Sequence, residues 1–195
     1  QAILDALKAG KTPLEKEGKD GKFPIETAIE TANPEAVKVL LDALTPSGVT
    51  ADTAVVSQKN WTLLDFAMEL LQKPENKEAA QKIIRLLLEK GANPKTASVG
   101  RKQFYLHMAL RAQCNGETVT ALVKAGANAK EENTRWGTPF TIALETTNLE
   151  AIQALLKGGI NPNEQQPTYE MTPLAIAILM ALKTKEDLHK LVEDI

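Results

Sequence analysis

The feature that most constrains this chain is a segment that returns at a fixed distance. Gly137-Thr138-Pro139-Phe140-Thr141-Ile142-Ala143-Leu144 is followed by Ile152-Gln153-Ala154-Leu155-Leu156-Lys157-Gly158-Gly159-Ile160-Asn161. The pattern starts again 34 residues later as Met171-Thr172-Pro173-Leu174-Ala175-Ile176-Ala177-Ile178. Counting back 34 residues from Thr138 reaches Phe104-Tyr105-Leu106-His107-Met108-Ala109-Leu110, which leads to Val119 and Gly126-Ala127-Asn128. Before it come Thr62-Leu63-Leu64-Asp65-Phe66-Ala67-Met68, closing at Ile84 and Gly91-Ala92-Asn93, and Phe23-Pro24-Ile25-Glu26-Thr27-Ala28-Ile29 with Val37, Leu40 and Leu41. A unit of this size has too little apolar surface to fold alone. Its copies must stack on one another in chain order.

Each unit reads as two short antiparallel helices and a connecting loop. Thr138-Pro139 and Thr172-Pro173 supply an N-cap hydroxyl followed by proline at the first helical position. Ala28, Ala67, Ala109, Ala143 and Ala177 are small residues in the first helix, where a large side chain would hold neighbours apart. Gly91, Gly126 and Gly159 fall just past the second helix, where a left-handed C-cap costs glycine little. Only eight of the 195 residues are aromatic. Such a core is mostly aliphatic, which favours helices over a β-sandwich.

The units resemble the ankyrin repeat, whose pattern is T-P-L-H-x-A-A followed by V-x-x-L-L-x-x-G-A-D/N at a period near 33. The resemblance covers nearly the whole chain: a half-repeat at 1–18, then repeats at about 19–56, 57–98, 99–132, 133–166 and 167–195, all one domain. It implies an all-α solenoid of stacked antiparallel helix pairs with short hairpin-like loops. The copies depart from the pattern at Leu63 and Tyr105, which replace proline, and the motif histidine survives only at His107, where the family uses it to hydrogen-bond loop backbone.

Spacing shows where the array is irregular. Motif starts at Phe23, Thr62, Phe104, Thr138 and Thr172 give intervals of 39, 42, 34 and 34. The second copy has eight extra residues between its helix anchors, around Gln72-Lys73-Pro74-Glu75-Asn76-Lys77, and five more lie in the loop holding Thr45-Pro46-Ser47-Gly48. Both insertions contain proline and polar residues and are expected outside the stacked body. The helix after Thr184 has one apolar stripe (Leu188, Leu191, Val192, Ile195) and a wet opposite face, as a C-terminal cap requires. The sequence opens inside an apparent helix, Ala2 to Leu7, so the chain is expected to be cut from a longer protein, with more repeats upstream.

The candidate chemistry is thin. A net charge of −2 argues against a polyanion binder. One cysteine and two distant histidines, His107 and His189, make no ordinary zinc site, and no Walker A, G-x-G-x-x-G or G-x-S-x-G motif occurs. Cys114 sits in a helix-to-helix turn before Asn115-Gly116 and is expected to be an exposed, inert thiol. The longest uncharged apolar run, Leu174 to Leu182, is too short for the roughly 20 residues of a membrane span. Neither catalytic residues, a metal nor a cofactor is expected.

The informative residues are those the scaffold does not need. The resemblance implies a protein–protein interaction module that binds through its concave face and the loop tips before each first helix. The tips carry Lys22, then Lys59 and Trp61, then Arg101 and Gln103, then Arg135 and Trp136, then Tyr169 and Met171. Glu30, Glu69, Arg111, Glu145 and Leu179 occupy the exposed end of the first helices. Trp, Tyr and Arg are the types enriched at binding hot spots; the competing reading of Trp136 is local packing over its hairpin. The expected partner is another protein, with no nucleic acid and no membrane insertion. A monomer in the cytoplasm is expected. The alternative is a targeting segment of a larger multidomain protein, such as a bacterial effector, with its catalytic domain elsewhere.

Overall fold

The computed structural model describes residues 22–44, 61–95, 104–133, 135–165 and 170–176. Among them lie four complete helix pairs: α1 (Pro24–Glu30) with α2 (Pro34–Leu44), α3 (Leu63–Leu70) with α4 (Lys77–Glu89), α5 (Tyr105–Arg111) with α6 (Gly116–Lys124), and α7 (Pro139–Glu145) with α8 (Leu149–Lys157). A helical stretch at 173–176 opens the next unit. The first helices α1, α3, α5 and α7 pack in sequence order as one layer, and α2, α4, α6 and α8 form the second. No strand occurs among the described residues; there is one antiparallel bridge, between Asn133 and Gly137. The expected all-α stack is the observed fold.

Local chemistry sets each helix boundary. Thr138 Oγ1 accepts from the Thr141 amide at 3.3 Å, and Pro139 opens α7. Thr62 Oγ1 accepts from Asp65 N while Asp65 Oδ2 accepts from Thr62 N at 2.8 Å, a reciprocal box that satisfies two amides. Second helices start on asparagine: Asn33, Asn115 and Asn148 each accept from an amide three residues on, at 3.0 Å. Gly91, Gly126 and Gly159 hold φ between 87° and 98° past the second helices, the left-handed closure expected of them. After the first helices the same conformation falls on Ala32, Gln113 and Thr147, with φ near 50°.

The core is aliphatic and follows the alanine column. Ala28, Ala67, Ala109 and Ala143 are fully buried, and so are Val37, Ile84, Val119 and Leu155. The insertion before Ile84 is resolved differently from a simple loop. Pro74–Asn76 form a 3-10 turn, of which Pro74 and Glu75 are exposed, and α4 then begins a turn earlier than its counterparts. Seven helical residues precede Ile84, against three before Val37, Val119 and Ile152. Four residues are about one turn, so the extra turn keeps the anchor in phase and puts Ala80 on the buried face. Half of the insertion therefore joins the body. The half-repeat at 1–18, the Thr45–Gly48 insertion and the terminal helix lie outside the described residues.

Cys114 corrects the expectation of an exposed thiol. Its side chain is 0 % exposed. The left-handed Gln113 turns the chain so that the Cys114 amide donates to Ala109 O, and the residue faces inward between units. Burial pushes the thiol pKa up to about 12. Inertness follows from burial rather than from a bland surface position.

Candidate interaction surface

Contacts between units begin with a substitution that the repeat pattern alone makes look like a defect. Tyr105 occupies a proline slot, and its hydroxyl donates to Asp65 Oδ1 at 3.1 Å and lies 3.2 Å from Thr62 Oγ1. The ring is 1 % exposed. A side chain of the third unit thus completes the cap of the second. On the opposite edge Gln81 Oε1 accepts from Asn115 N at 2.7 Å, Asn148 Nδ2 donates to Cys114 O at 2.8 Å, and Glu150 accepts from Gly116 N at 2.8 Å. This ladder ties the helix turns of neighbouring units together.

His107 works in the same way on the tip side. Its Nε2 donates to Gly137 O at 3.1 Å, in the loop of the following unit, and the ring is 0 % exposed. Nδ1 has no hydrogen-bond partner among the described residues. Burial holds the imidazole below its ordinary pKa, opposed by the Gly137 carbonyl. The structural role implied for His107 is what the geometry provides.

The loop it holds is a tight turn. Asn133 N donates to Gly137 O at 2.9 Å and Gly137 N returns a bond to Asn133 O at 2.8 Å. Asn133 Oδ1 also accepts from Arg135 N at 2.9 Å and from Trp136 N at 3.2 Å. Backbone bonds thus fix where Arg135 and Trp136 leave the scaffold. Trp136 is half-buried and packs against the core edge. The Arg111 guanidinium carbon lies 4.9 Å from its ring centroid and that of Arg135 5.7 Å, both within cation–π range. Packing and display meet in this one ring.

The other candidate residues are more scattered. Lys22 is exposed and pairs with Glu30 at 2.6 Å. Trp61 is half-buried with its ring edge-on to Phe66, centroids 5.3 Å apart, so it contributes local packing. Glu145 is exposed at the end of α7, and Met171 is 39 % exposed beside Leu174 at 64 %. Lys59, Arg101, Gln103, Tyr169 and Leu179 lie outside the described residues. The structure brings Arg111, Arg135 and Trp136 together. The sequence places Arg135 and Trp136 in the tip row and Arg111 in the first-helix row; only the register of 24 to 25 residues between Arg111 and the next tip hints at their contact.

The stacked helix pairs, with loops closing each unit, define a helical-repeat protein. Residues 106–193 match the family model for ankyrin repeats (3 copies), and the chain resembles the ankyrin-repeat family. Its fold is similar to the ankyrin repeat domain of Bcl-3, described as a unique member of the IkappaB protein family. That match has 22% identity and a TM-score of 0.57, over 81% of this chain and 66% of that one. It is also similar to the ankyrin repeat domain of human ASB11, with 20% identity and a TM-score of 0.52, over 80% of this chain and 62% of that one. The chain thus spans less than two thirds of the length of either structure. No curated protein matches it in sequence. Ankyrin repeats are generally protein–protein interaction modules, and the fold is typically non-catalytic. Among the described residues no helix is long and apolar enough to cross a membrane.

Proposed function

We propose that this protein binds another protein through the exposed ends of its first helices and the adjoining loop tips. The observation that supports this reading is the presentation of Arg111, Arg135 and Trp136 from a backbone-locked turn. The stack does not need guanidinium groups there, and Arg and Trp are the types that dominate binding energy where they cluster. The second-helix face, by contrast, carries ion pairs within one helix or between neighbours, such as Lys82 with Glu78 and Lys90 with Asp42.

Affinity capture with the purified chain tests the reading. A specific partner should be lost when Arg111 and Arg135 are both changed to Ala, and kept when Lys82 and Lys124 are changed to Ala. The opposite pattern would move the site to the second-helix face.

A further inference from the structure

We propose that the Arg111–Trp136–Arg135 cluster recognises a short acidic segment of the partner protein, its carboxylates received by the two guanidiniums. The inference rests on the partner-binding reading and adds the chemistry of the ligand.

Two cations converge on one ring, from different units of the stack. Among the described residues neither is paired with a carboxylate, whereas Lys22, Lys38, Lys82, Lys90 and Lys130 each are. A guanidinium held beside an indole by cation–π attraction spends none of its N–H groups on a carboxylate of the chain, so its N–H edge stays available. That edge is the fork that matches a carboxylate with two parallel hydrogen bonds. Holding both groups on a half-buried ring also removes part of the side-chain entropy that ordinarily weakens exposed ion pairs. Arg135 is fixed further by its own amide, bonded to Asn133 Oδ1, and the turn by His107 through Gly137 O.

The surroundings limit the ligand to a short segment. The helix position of Arg111 is held by Glu69 in the preceding unit and by Glu145 in the following one. The chain as a whole carries a net charge of −2. A long polyanion such as a nucleic acid would cross these carboxylates and meet no general attraction. A few acidic side chains set against the cluster alone would not. An acidic peptide fits this pattern better than a phosphate backbone does.

Selection from a displayed random-peptide library against the full chain tests the inference. Peptides recovered on the parent should be enriched in Asp and Glu over the unselected library. They should bind roughly tenfold more weakly to the chain carrying both Arg111→Gln and Arg135→Gln, with the same thermal midpoint. The Arg111→Glu/Arg135→Glu chain should recover peptides enriched in Lys and Arg instead. Should charge reversal unfold the chain, the amide variants decide alone. Peptides without acidic enrichment that still compete at the first-helix face would overturn the acidic assignment and leave the partner-binding reading intact. Recovery of no peptide at this face would overturn both. Duplex DNA binding as well as the selected peptides would also overturn it, since the cluster would then be a general anion site.

Discussion

Replacing His107 by Ala separates two contributions that the structure makes measurable. The first is the bond from Nε2 to Gly137 O at 3.1 Å. Its loss costs about 1 kcal/mol rather than the larger penalty of an orphaned carbonyl, because Gly137 O keeps its bond from Asn133 N at 2.9 Å. The second is the cavity left by a ring that is 0 % exposed. Truncating a buried side chain of this size costs roughly 2–4 kcal/mol, with the unpartnered Nδ1 a cost to the parent that the variant no longer carries. The expected total is a loss of about 2–4 kcal/mol.

The pH dependence supplies an independent check. Burial lowers the folded-state pKa of His107, so below about pH 6.5, the ordinary histidine value, the unfolded chain binds more protons than the folded one. The stabilisation from keeping the ring neutral is complete above that pH and is lost as pH falls through the folded-state value. The slope for one proton is at most about 1.4 kcal/mol per pH unit. Asp42, lowered to about 2 by hydrogen bonds from Lys38 and Lys90, titrates well below this window. His189 is common to both proteins. Urea melts of the parent and of His107→Ala from pH 7.5 to 5 should show the parent losing stability on the acid side and the variant losing less. Equal midpoints at pH 7.5, or equal slopes, would refute the assignment of His107 as a buried clamp on the tip loop.

Tyr105→Phe removes one bond to a buried carboxylate and should cost about 1.5–3 kcal/mol, the range for bonds to charged groups; a cycle with Asp65→Asn should show coupling, and strict additivity would exclude the inter-unit bond. Cys114 should resist a thiol reagent at pH 8 in the native state and react on addition of denaturant, so rapid native labelling would contradict its burial. Thr147→Gly should gain up to about 1 kcal/mol by relieving a left-handed φ of 50°. Gly126→Ala should destabilise, since its φ is 98° and a Cβ there would lie 2.5 Å from Lys95 Cε, and thermal melts compare the two. Deleting Pro74–Asn76 should change stability by about 1 kcal/mol or less in urea melts, whereas a deletion carried through Ala80, which also removes a buried residue of α4, should cost more.

What the sequence determined by itself is whatever depends on near neighbours along the chain. Thr138-Pro139, the alanine column and Gly91, Gly126 and Gly159 specify helix starts, close packing and left-handed stops within a few residues. Their recurrence fixes the order of stacking. Arg111 and Arg135 are legible as residues the stack does not require, whereas Trp61 and Trp136, both placed in the tip row, also pack locally. The asparagine caps at Asn33, Asn115 and Asn148 carry an equally local signal, an amide oxygen placed three residues before the N–H it accepts from.

Only the tertiary structure decided what faces what across a unit boundary. Tyr105 departs from the repeat pattern, yet its hydroxyl meets Asp65 from 40 residues away. Cys114 is polar enough for a turn, where exposure is expected, but in the stack its side chain is fully buried. Half of an apparent loop insertion became a turn of α4, because four residues preserve helical phase. Arg111 and Arg135 were assigned to different rows, and stacking brought both onto Trp136. Spacing along the chain states the register of each unit, while the contacts between units depend on side-chain reach and on how closely the layers approach.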